Sequence, residues 1–344
     1  MDGSVWRLGS PAGRASRAGR ALLQGFCLAA ALWLAAAQAE PALPSALASR
    51  SLLLDIAQAG TRLVAVGERG HILYSDDRGA SWQQAEVPSR QLLTALFFVD
   101  ARHGWAVGHD TQILHSADGG AHWQLQHEDP PREAPLLDVW FADARRGLAV
   151  GAYGTLLATE DGGAHWADAG ARLDNPDGLH LNAIAAIPGV GLLVVGEAGL
   201  ALRSADGGAT WERLPAFYEG SLFGVLGSGE PGVALAFGLR GHLFRSTDGG
   251  ASWTPLALPV PGNGPLQAGL SGGTRLADGS LLIVGHGGTL LHSRDGGDHF
   301  ALRIRPDRLS LSAVAEAGDG RLLLVGQGGV HEESMVRELQ GGPP

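Results

Sequence analysis

No lysine occurs anywhere in the 344 residues: the 25 basic side chains are all arginines, set against 35 acidic ones for a net charge of −10. Phosphate backbones are held by clustered Lys and Arg, so an acidic chain with dispersed arginines is no general binder of nucleic acid. The single cysteine, Cys27, lies near the N-terminus, and one thiol cannot build a disulfide framework. Tyrosine is nearly missing too, with only Tyr74, Tyr153 and Tyr218, which starves any phenol-based chemistry. No G-x-S-x-G elbow, no P-loop and no His-x-x-x-His spacing is present, so no cofactor and no metal site is expected.

Long apolar runs are absent with one exception, Ala21 to Ala37. Arg7, Arg14, Arg17 and Arg20 precede that run, and Ala37-Gln38-Ala39 ends it. A basic start, an apolar middle and an A-x-A site make a secretory signal over residues 1–39. An uncleaved anchor is the alternative, since the run sits at the lower limit for a spanning helix. Gln24-Gly25-Phe26 before Cys27 does not resemble a lipoprotein signal. The expected mature chain, from Glu40, carries 21 arginines against 34 acidic residues and no cysteine. It is an exported, periplasmic type of product.

What the chain has in abundance is glycine, 53 residues, about twice the usual ~7%, and the glycines are periodic. V-G-x-x-G recurs at Gly67, Gly151, Gly196, Gly285 and Gly326, with variants at Gly108 and Gly238. The intervals are 41, 43, 45, 42, 47 and 41 residues. Six of the seven phrases are followed by S/T-x-D-x-G-x-x-W/F. In the first unit, Leu52–Ala57, Arg62–Val66, His71–Tyr74 and Trp82–Val87 read as strands A to D, short apolar runs bounded by Gly and Asp. Four strands in ~40–45 residues is the period of a propeller blade. Residues 40–344 are therefore expected to form one all-β domain, a seven-bladed β-propeller of four-stranded antiparallel blades. The seventh unit lacks the Asp-bearing turn, so either Glu332–Leu339 or Ala42–Ser49 is expected to supply its outer strand.

The second phrase is an Asp-box. A carboxylate there can accept backbone N–H groups of its own turn, glycine supplies a positive φ, and the aromatic ring packs between blades. Asp77 with Trp82, Asp118 with Trp123, Asp161 with Trp166, Asp206 with Trp211, Asp248 with Trp253 and Asp295 with Phe300 are expected to be structural. Six copies of an acid are not what one active site needs. The B–C turns and D–A loops open on one propeller face and the A–B and C–D turns on the other. On the first face the repeated frame carries differing side chains, and Arg69, His109, Tyr153, Glu197, Arg240 and His286 are the binding candidates. The longest D–A loops are Glu128–Pro135, Gly170–His180 and Pro259–Pro265.

Asp-boxes also occur in sialidases, so a glycan-binding or glycoside hydrolase propeller is the alternative. That chemistry needs a Tyr–carboxylate pair and clustered arginines. Only Tyr218 with Glu219, in a D–A connection, is a workable placement.

Two consecutive blades repeat one long phrase, Phe98-Val99-Asp100-Ala101-Arg102-His103-Gly104-Trp105-Ala106-Val107-Gly108 and Phe141-Ala142-Asp143-Ala144-Arg145-Arg146-Gly147-Leu148-Ala149-Val150-Gly151. Together with the alternating glycine phrases and Asp-boxes, it resembles the photosystem II assembly/stability factor propellers over Ser51 to about Gly329. The resemblance implies a non-catalytic, monomeric propeller that scaffolds assembly of a membrane complex from the exported side. Its partner would be a membrane protein or a subunit of such a complex. The family's arginine-rich patch maps here onto Arg69 and Arg240. Exported protein is expected to begin near Glu40 and to contain no thiol. N-terminal sequencing checks this, and an intact Met1 in the membrane fraction would point to the uncleaved anchor.

Overall fold

The computed structural model describes residues 40–260, 264–318 and 320–334; the residues read as a secretory signal lie outside these. Seven antiparallel sheets succeed one another along the chain, six of four strands and the last of three. The protein is an all-β, seven-bladed propeller. Its inner strands, A, are Leu53–Ala59, Leu93–Phe98, Leu136–Phe141, Leu181–Ile187, Leu222–Gly227, Leu270–Arg275 and Leu311–Glu316. They surround a central channel, a cavity of about 280 Å³ to which all seven contribute.

Each inner strand opens with a leucine no more than 1% exposed. The register against strand B then shifts by one residue, so a bulge follows that leucine in every blade. The leucine faces the first glycine of V-G-x-x-G, and the approach explains that glycine. A Cβ on Gly67 would stand 2.1 Å from the Leu52 carbonyl oxygen, which accepts the Glu68 N–H at 3.0 Å. The same conflict, at 2.0–2.4 Å, recurs at Gly108, Gly151, Gly196, Gly238, Gly285 and Gly326. Strand B reads as an unbroken apolar run because both its faces meet a neighbouring blade: Gly104–Gly108 and Gly147–Gly151 are buried throughout.

Outer strand D is shorter than the sequence suggests. Trp82–Val87 reduces to Gln83–Gln84, and blades 3, 4 and 5 also keep two residues, Ala167–Asp168, Glu212–Arg213 and Thr254–Pro255. The aromatic residue at the start of the segment turns inward, while the exposed edge stays brief, which limits pairing with other chains. The Pro259–Pro265 loop contains a small hairpin of its own, Pro259–Val260 against Gly264–Pro265.

The Asp-box is one hydrogen-bonded unit. In blade 1, Ser75 Oγ donates to Asp77 Oδ1 at 2.8 Å and accepts the Gly79 N–H at 2.8 Å. Ser81 gives its N–H to Asp77 Oδ1 at 2.8 Å and its hydroxyl to Oδ2 at 2.6 Å. His122, His165 and His299 take the place of that hydroxyl in blades 2, 3 and 6, with Nδ1 2.6, 2.7 and 2.8 Å from the carboxylate. The box aromatic enters the core shared with the preceding blade: Trp82 packs with Leu323 and Val325 of blade 7, and Trp123 with Val64 and Val87 of blade 1. Trp166, Trp211, Trp253 and Phe300 repeat the arrangement around the ring.

The box also receives a donor from the preceding blade. Arg62 reaches the Gly119 carbonyl at 3.3 Å, Gln126 that of Gly162 at 2.9 Å, and Arg172 that of Gly208 at 3.2 Å. Arg203 bonds Gly249, Arg245 bonds Gly296 and Arg321 bonds Arg78, at 3.2–3.3 Å. Blade 7 offers no box to blade 6, and there Arg303 and Arg305 grip Glu333 at 2.9 and 2.7 Å instead.

In the seventh blade the Ala42–Ser49 alternative for the outer strand is not what the structure shows, and the Glu332–Leu339 alternative lies mostly outside the described residues. Glu332 lies within its third strand, Gly329–Ser334, and residues beyond 334 are outside the described ones. Gln327-Gly328 forms a two-residue hairpin, pairing Gly326 with Gly329. Residues 42–49 do not join this sheet. They run along blade 1, where Ala42 N–H bonds the Val87 carbonyl at 2.9 Å and Gln84 bonds Leu43 and Ser45. The short helix Ala48–Arg50 then buries Ala48 in the core between blades 7 and 1. Closure is by packing, by Arg321 on the Arg78 carbonyl and by Gln58 Nε2 on the Glu316 carbonyl at 2.6 Å.

Trp123 is 4% exposed, donates Nε1–H to the Gly120 carbonyl at 2.9 Å and stands edge-on to Phe98. Trp123→Ala is expected to destabilise the protein by ~3–5 kcal/mol, read from denaturant unfolding. An unchanged midpoint would show that the box aromatic does not hold the blades together.

Candidate interaction face

Six B–C connections on one face are 3-10 turns: Glu68–Gly70, His109–Thr111, Ala152–Gly154, Glu197–Gly199, Leu239–Gly241 and His286–Gly288. The middle residue of each is left-handed, with φ of 59° at Arg69, 56° at Asp110, 56° at Tyr153, 51° at Ala198, 55° at Arg240 and 61° at Gly287. A side chain there costs ~1 kcal/mol relative to glycine. Five of the six turns carry that cost, and exposed strain of this kind accompanies functional sites more often than plain loops.

Among the candidate residues, Arg69, Tyr153 and Arg240 occupy the strained position itself, and His109, Glu197 and His286 precede it. All are exposed except Glu197, which is half-buried. The Glu197 carboxylate accepts the His180 N–H at 3.3 Å, and Tyr153 meets the His180 ring edge-to-face at 5.0 Å. Tyr153 and Glu197 are thereby brought together, and Arg240 follows Leu239, whose carbonyl accepts the Tyr218 hydroxyl at 3.3 Å. No side-chain hydrogen bond or ring contact among the described residues joins Arg69, His109 or His286 to that group. Tyr153 is 65% exposed, Leu239 39% and Leu52 38%. These three of the five exposed large apolar side chains among the described residues lie on this face; Leu43 and Leu47 lie on the N-terminal segment.

Tyr218 does not sit as a nucleophile would. Its hydroxyl lies between the Leu239 carbonyl and His242 Nδ1, 3.2 Å away, and burial pushes its pKa up. Among the described residues no group of three or more His, Cys, Asp or Glu is placed to hold a metal ion.

Sequence reasoning missed two carboxyls in the channel wall. Two residues beyond the leucine that opens each strand A, the blades carry Asp55, Ala95, Asp138, Ala183, Gly224, Gly272 and Ala313. The signal was readable as two acids at a position otherwise held by Ala or Gly. Each carboxylate pins its own blade to the next. Asp55 accepts the Ile56 and Leu96 N–H groups, and Asp138 those of Val139 and Ile184, all at 2.8 Å. Both side chains line the channel, and no basic residue lines it. Burial pushes both up to about 7, with the Asp138 charge adding to the rise at Asp55.

A raised carboxyl pKa makes a contribution that is complete below the unfolded value near 3.8 and lost as pH rises through about 7. The boxes act oppositely. Donors of the own turn hold Asp77, Asp161 and Asp206 down to about 2, so their contribution is present above 3.8 and lost on further acidification. The melting temperature is therefore expected to rise from pH 8 to pH 5 and to fall below pH 4. Asp55→Ala with Asp138→Ala should flatten the upper limb and leave the acid limb. A pH profile identical to that of the wild type would contradict the assignment.

Comparison with known sequences finds a family described as "Photosynthesis system II assembly factor YCF48", matched over residues 74–134 and 125–254, more than half of the chain. A photosystem II assembly protein Ycf48 from Synechococcus sp. (strain JA-2-3B'a(2-13)) is 41% identical over 63 residues, 18% of this chain and 17% of the relative. The chloroplastic photosystem II stability/assembly factor HCF136 of Cyanidioschyzon merolae is 35% identical over 95 residues, 26% of this chain and 22% of the relative. The aligned stretches thus span about a fifth of these relatives. Among solved structures, YCF48 bound to a D1 peptide superposes with a TM-score of 0.64 at 18% identity, covering 87% of this chain and 98% of the other. The GH74 xyloglucanase of Xanthomonas campestris gives 0.63 at 17% identity, covering 86% and 53%. At such identities the superpositions show the fold alone.

Proposed function

Because the chain belongs to the photosynthesis system II assembly factor YCF48 family, we propose that it is an assembly or stability factor, a propeller that holds a subunit of a membrane-associated complex and turns over no substrate. The observation that carries this reading is the family match, which runs from strand C of blade 1 into strand D of blade 5. The face geometry supports it: varied, strained and partly apolar side chains stand on a rigid repeated frame, as an interaction surface requires. A solved family member is bound to a D1 peptide, which favours a protein partner here too. The basic and apolar N-terminal run supports a location on the exported side.

Hydrolysis is the weaker reading. Tyr218 is held by a carbonyl and a histidine, and both oxygens of Asp55 and of Asp138 are engaged by backbone N–H groups. The xyloglucanase shares the fold and lends no catalytic residue.

Arg69 and Arg240 are the arginines of the B–C turns, where a forked donor suits a partner's carboxylates. Substituting both by Glu at these exposed turns should alter folding by no more than ~0.5 kcal/mol each. Capture of the membrane partner, identified by cross-linking and mass spectrometry, is expected to be lost. Arg78→Glu with Arg294→Glu, in the Asp-box turns, should retain it. Undiminished capture by the first variant, or equal loss in the second, would overturn the face assignment.

A further inference from the structure

The joints between blades share one construction, and the joint of blades 3 and 4 is left partly open. On the side of each blade that faces the next, one strand C residue sits opposite a buried residue of strand B. It is Tyr74, His115, Arg203, Arg245, His292 and Glu332 in six blades, and Ala158 in blade 3. The larger side chains fill their joints: Arg62 covers the Tyr74 ring at 4.4 Å, and Arg203 pairs with Glu212 at 2.9 Å. In blade 3 the strand D partner is small as well, since Ala158 faces Ala167. Among the described residues no other blade has alanine at both places. In blades 4 and 5 the strand C arginine itself bonds the next box. Here Arg172 does so from the D–A loop, at 3.2 Å from the Gly208 carbonyl, and the space over Ala158 stays unfilled.

The result is a cavity of about 470 Å³ between blades 3 and 4, lined by their Asp-box turns. That volume is ordinary for a small-molecule site. Its floor is one cross-strand row of Trp140, Leu148, Ala158 and Ala167. Its rim carries polar groups that the protein leaves unused. Among the described residues, the half-buried Trp140 has no hydrogen bond on Nε1 and Glu160 has none on its carboxylate, while Arg172 spends only Nη1. His165 gives Nδ1–H to the Asp161 carboxylate at 2.7 Å, which leaves Nε2 an acceptor in the neutral ring.

We propose that this notch is a binding site for a neutral sugar, a pyranose unit of an oligosaccharide. The chemistry of the lining selects the occupant. Arg146 and Arg172 line it, but so do Glu160, Asp161 and Asp206, so neither an anion nor a cation is drawn in by net charge. A wholly apolar molecule would bury the Trp140 N–H, the Arg172 fork and the Glu160 carboxylate without partners, which costs more than the floor returns. A sugar ring meets both demands. Its C–H face covers the indole and the alanines, and each hydroxyl is donor and acceptor at once. Arg172 and Trp140 then donate to hydroxyl oxygens, and Glu160 and His165 Nε2 accept hydroxyl protons. The carboxylates of Asp161 and Asp206 are already held by their own turns, so they shape the wall and take no part in chemistry. This site lies on the box side of the propeller, away from the B–C turns, and is independent of the assembly role.

The test is a printed array of neutral, sialylated and uronate-bearing oligosaccharides probed with the full-length protein, followed by titration calorimetry of the sugars retained. Neutral pyranose oligosaccharides are expected to bind. Their affinity should drop about tenfold or more in Ala158→Tyr, which fills the notch with the residue that blade 1 carries at the same place, and in Trp140→Ala. Ala158→Ser keeps the notch open and should bind as the wild type does. Glu160→Gln, at an exposed position without a partner, should weaken binding with the melting temperature unchanged, and it decides the matter if the larger changes disturb folding. No binding of any neutral sugar, undiminished binding in both Ala158→Tyr and Glu160→Gln, or a preference for the charged sugars would overturn the proposal. The array needs no membrane partner. Sugar binding with no capture from membranes would therefore count against the assembly role alone, and capture without sugar binding would count against the notch alone.

Discussion

The Asp-box turn is the constraint on which the rest of the ring depends. Its carboxylate is satisfied within six residues, by donors at the serine or threonine before it and at the residue four positions on. That closed unit fixes the direction of the following aromatic, which enters the preceding blade's core. The turn's carbonyl meanwhile accepts a donor from that same blade. Each box thus joins two blades twice, once through apolar burial and once through a hydrogen bond. Where blade 7 lacks the turn, Glu333 and two arginines take over the joint to blade 6, and the N-terminal segment covers the joint to blade 1.

This division accounts for the arginines. In a chain without lysine, five of the seven side-chain donors that reach the next blade's box turn are arginines, and the other two, Gln126 and Trp105, share the Gly162 carbonyl. A planar fork can hold a carbonyl and a carboxylate at once, as Arg62 does with Gly119 and Asp76. Many of the arginines are thereby committed to the ring. Those of the B–C turns, Arg69 and Arg240, are not, and that distinction points to the face rather than to the flank of the molecule.

Much of this was legible in the residues. The glycine period gave the blade count, and the invariant first glycine of each phrase reports a carbonyl that approaches within 2.4 Å of where a Cβ would be. The positions of Arg69, Tyr153 and Arg240 in turns followed from the repeat alone, but not their left-handed backbone, which depends on how strands B and C splay. Asp55 and Asp138 were hidden for another reason. They fall in an apolar strand pattern, and only alignment of the repeats against one another exposes them as acids among small residues. The joint between residues 42–49 and blade 1 was illegible, because it is made by backbone groups and by Gln84 rather than by a patterned segment. The linkage of Tyr153 to Glu197 through His180 is likewise a property of packed loops of unequal length.

The account rests on one claim, that a partner covers the face of the B–C turns while the Asp-box turns keep the ring intact on the other. Hydrogen exchange of the folded domain with and without its captured partner measures this directly. The account predicts slowed exchange in the turns around Tyr153, Glu197 and Arg240 and unchanged exchange in the turns around Asp118, Asp206 and Asp295. Protection confined to the Asp-box turns, or none on either face while the partner is bound, would contradict it.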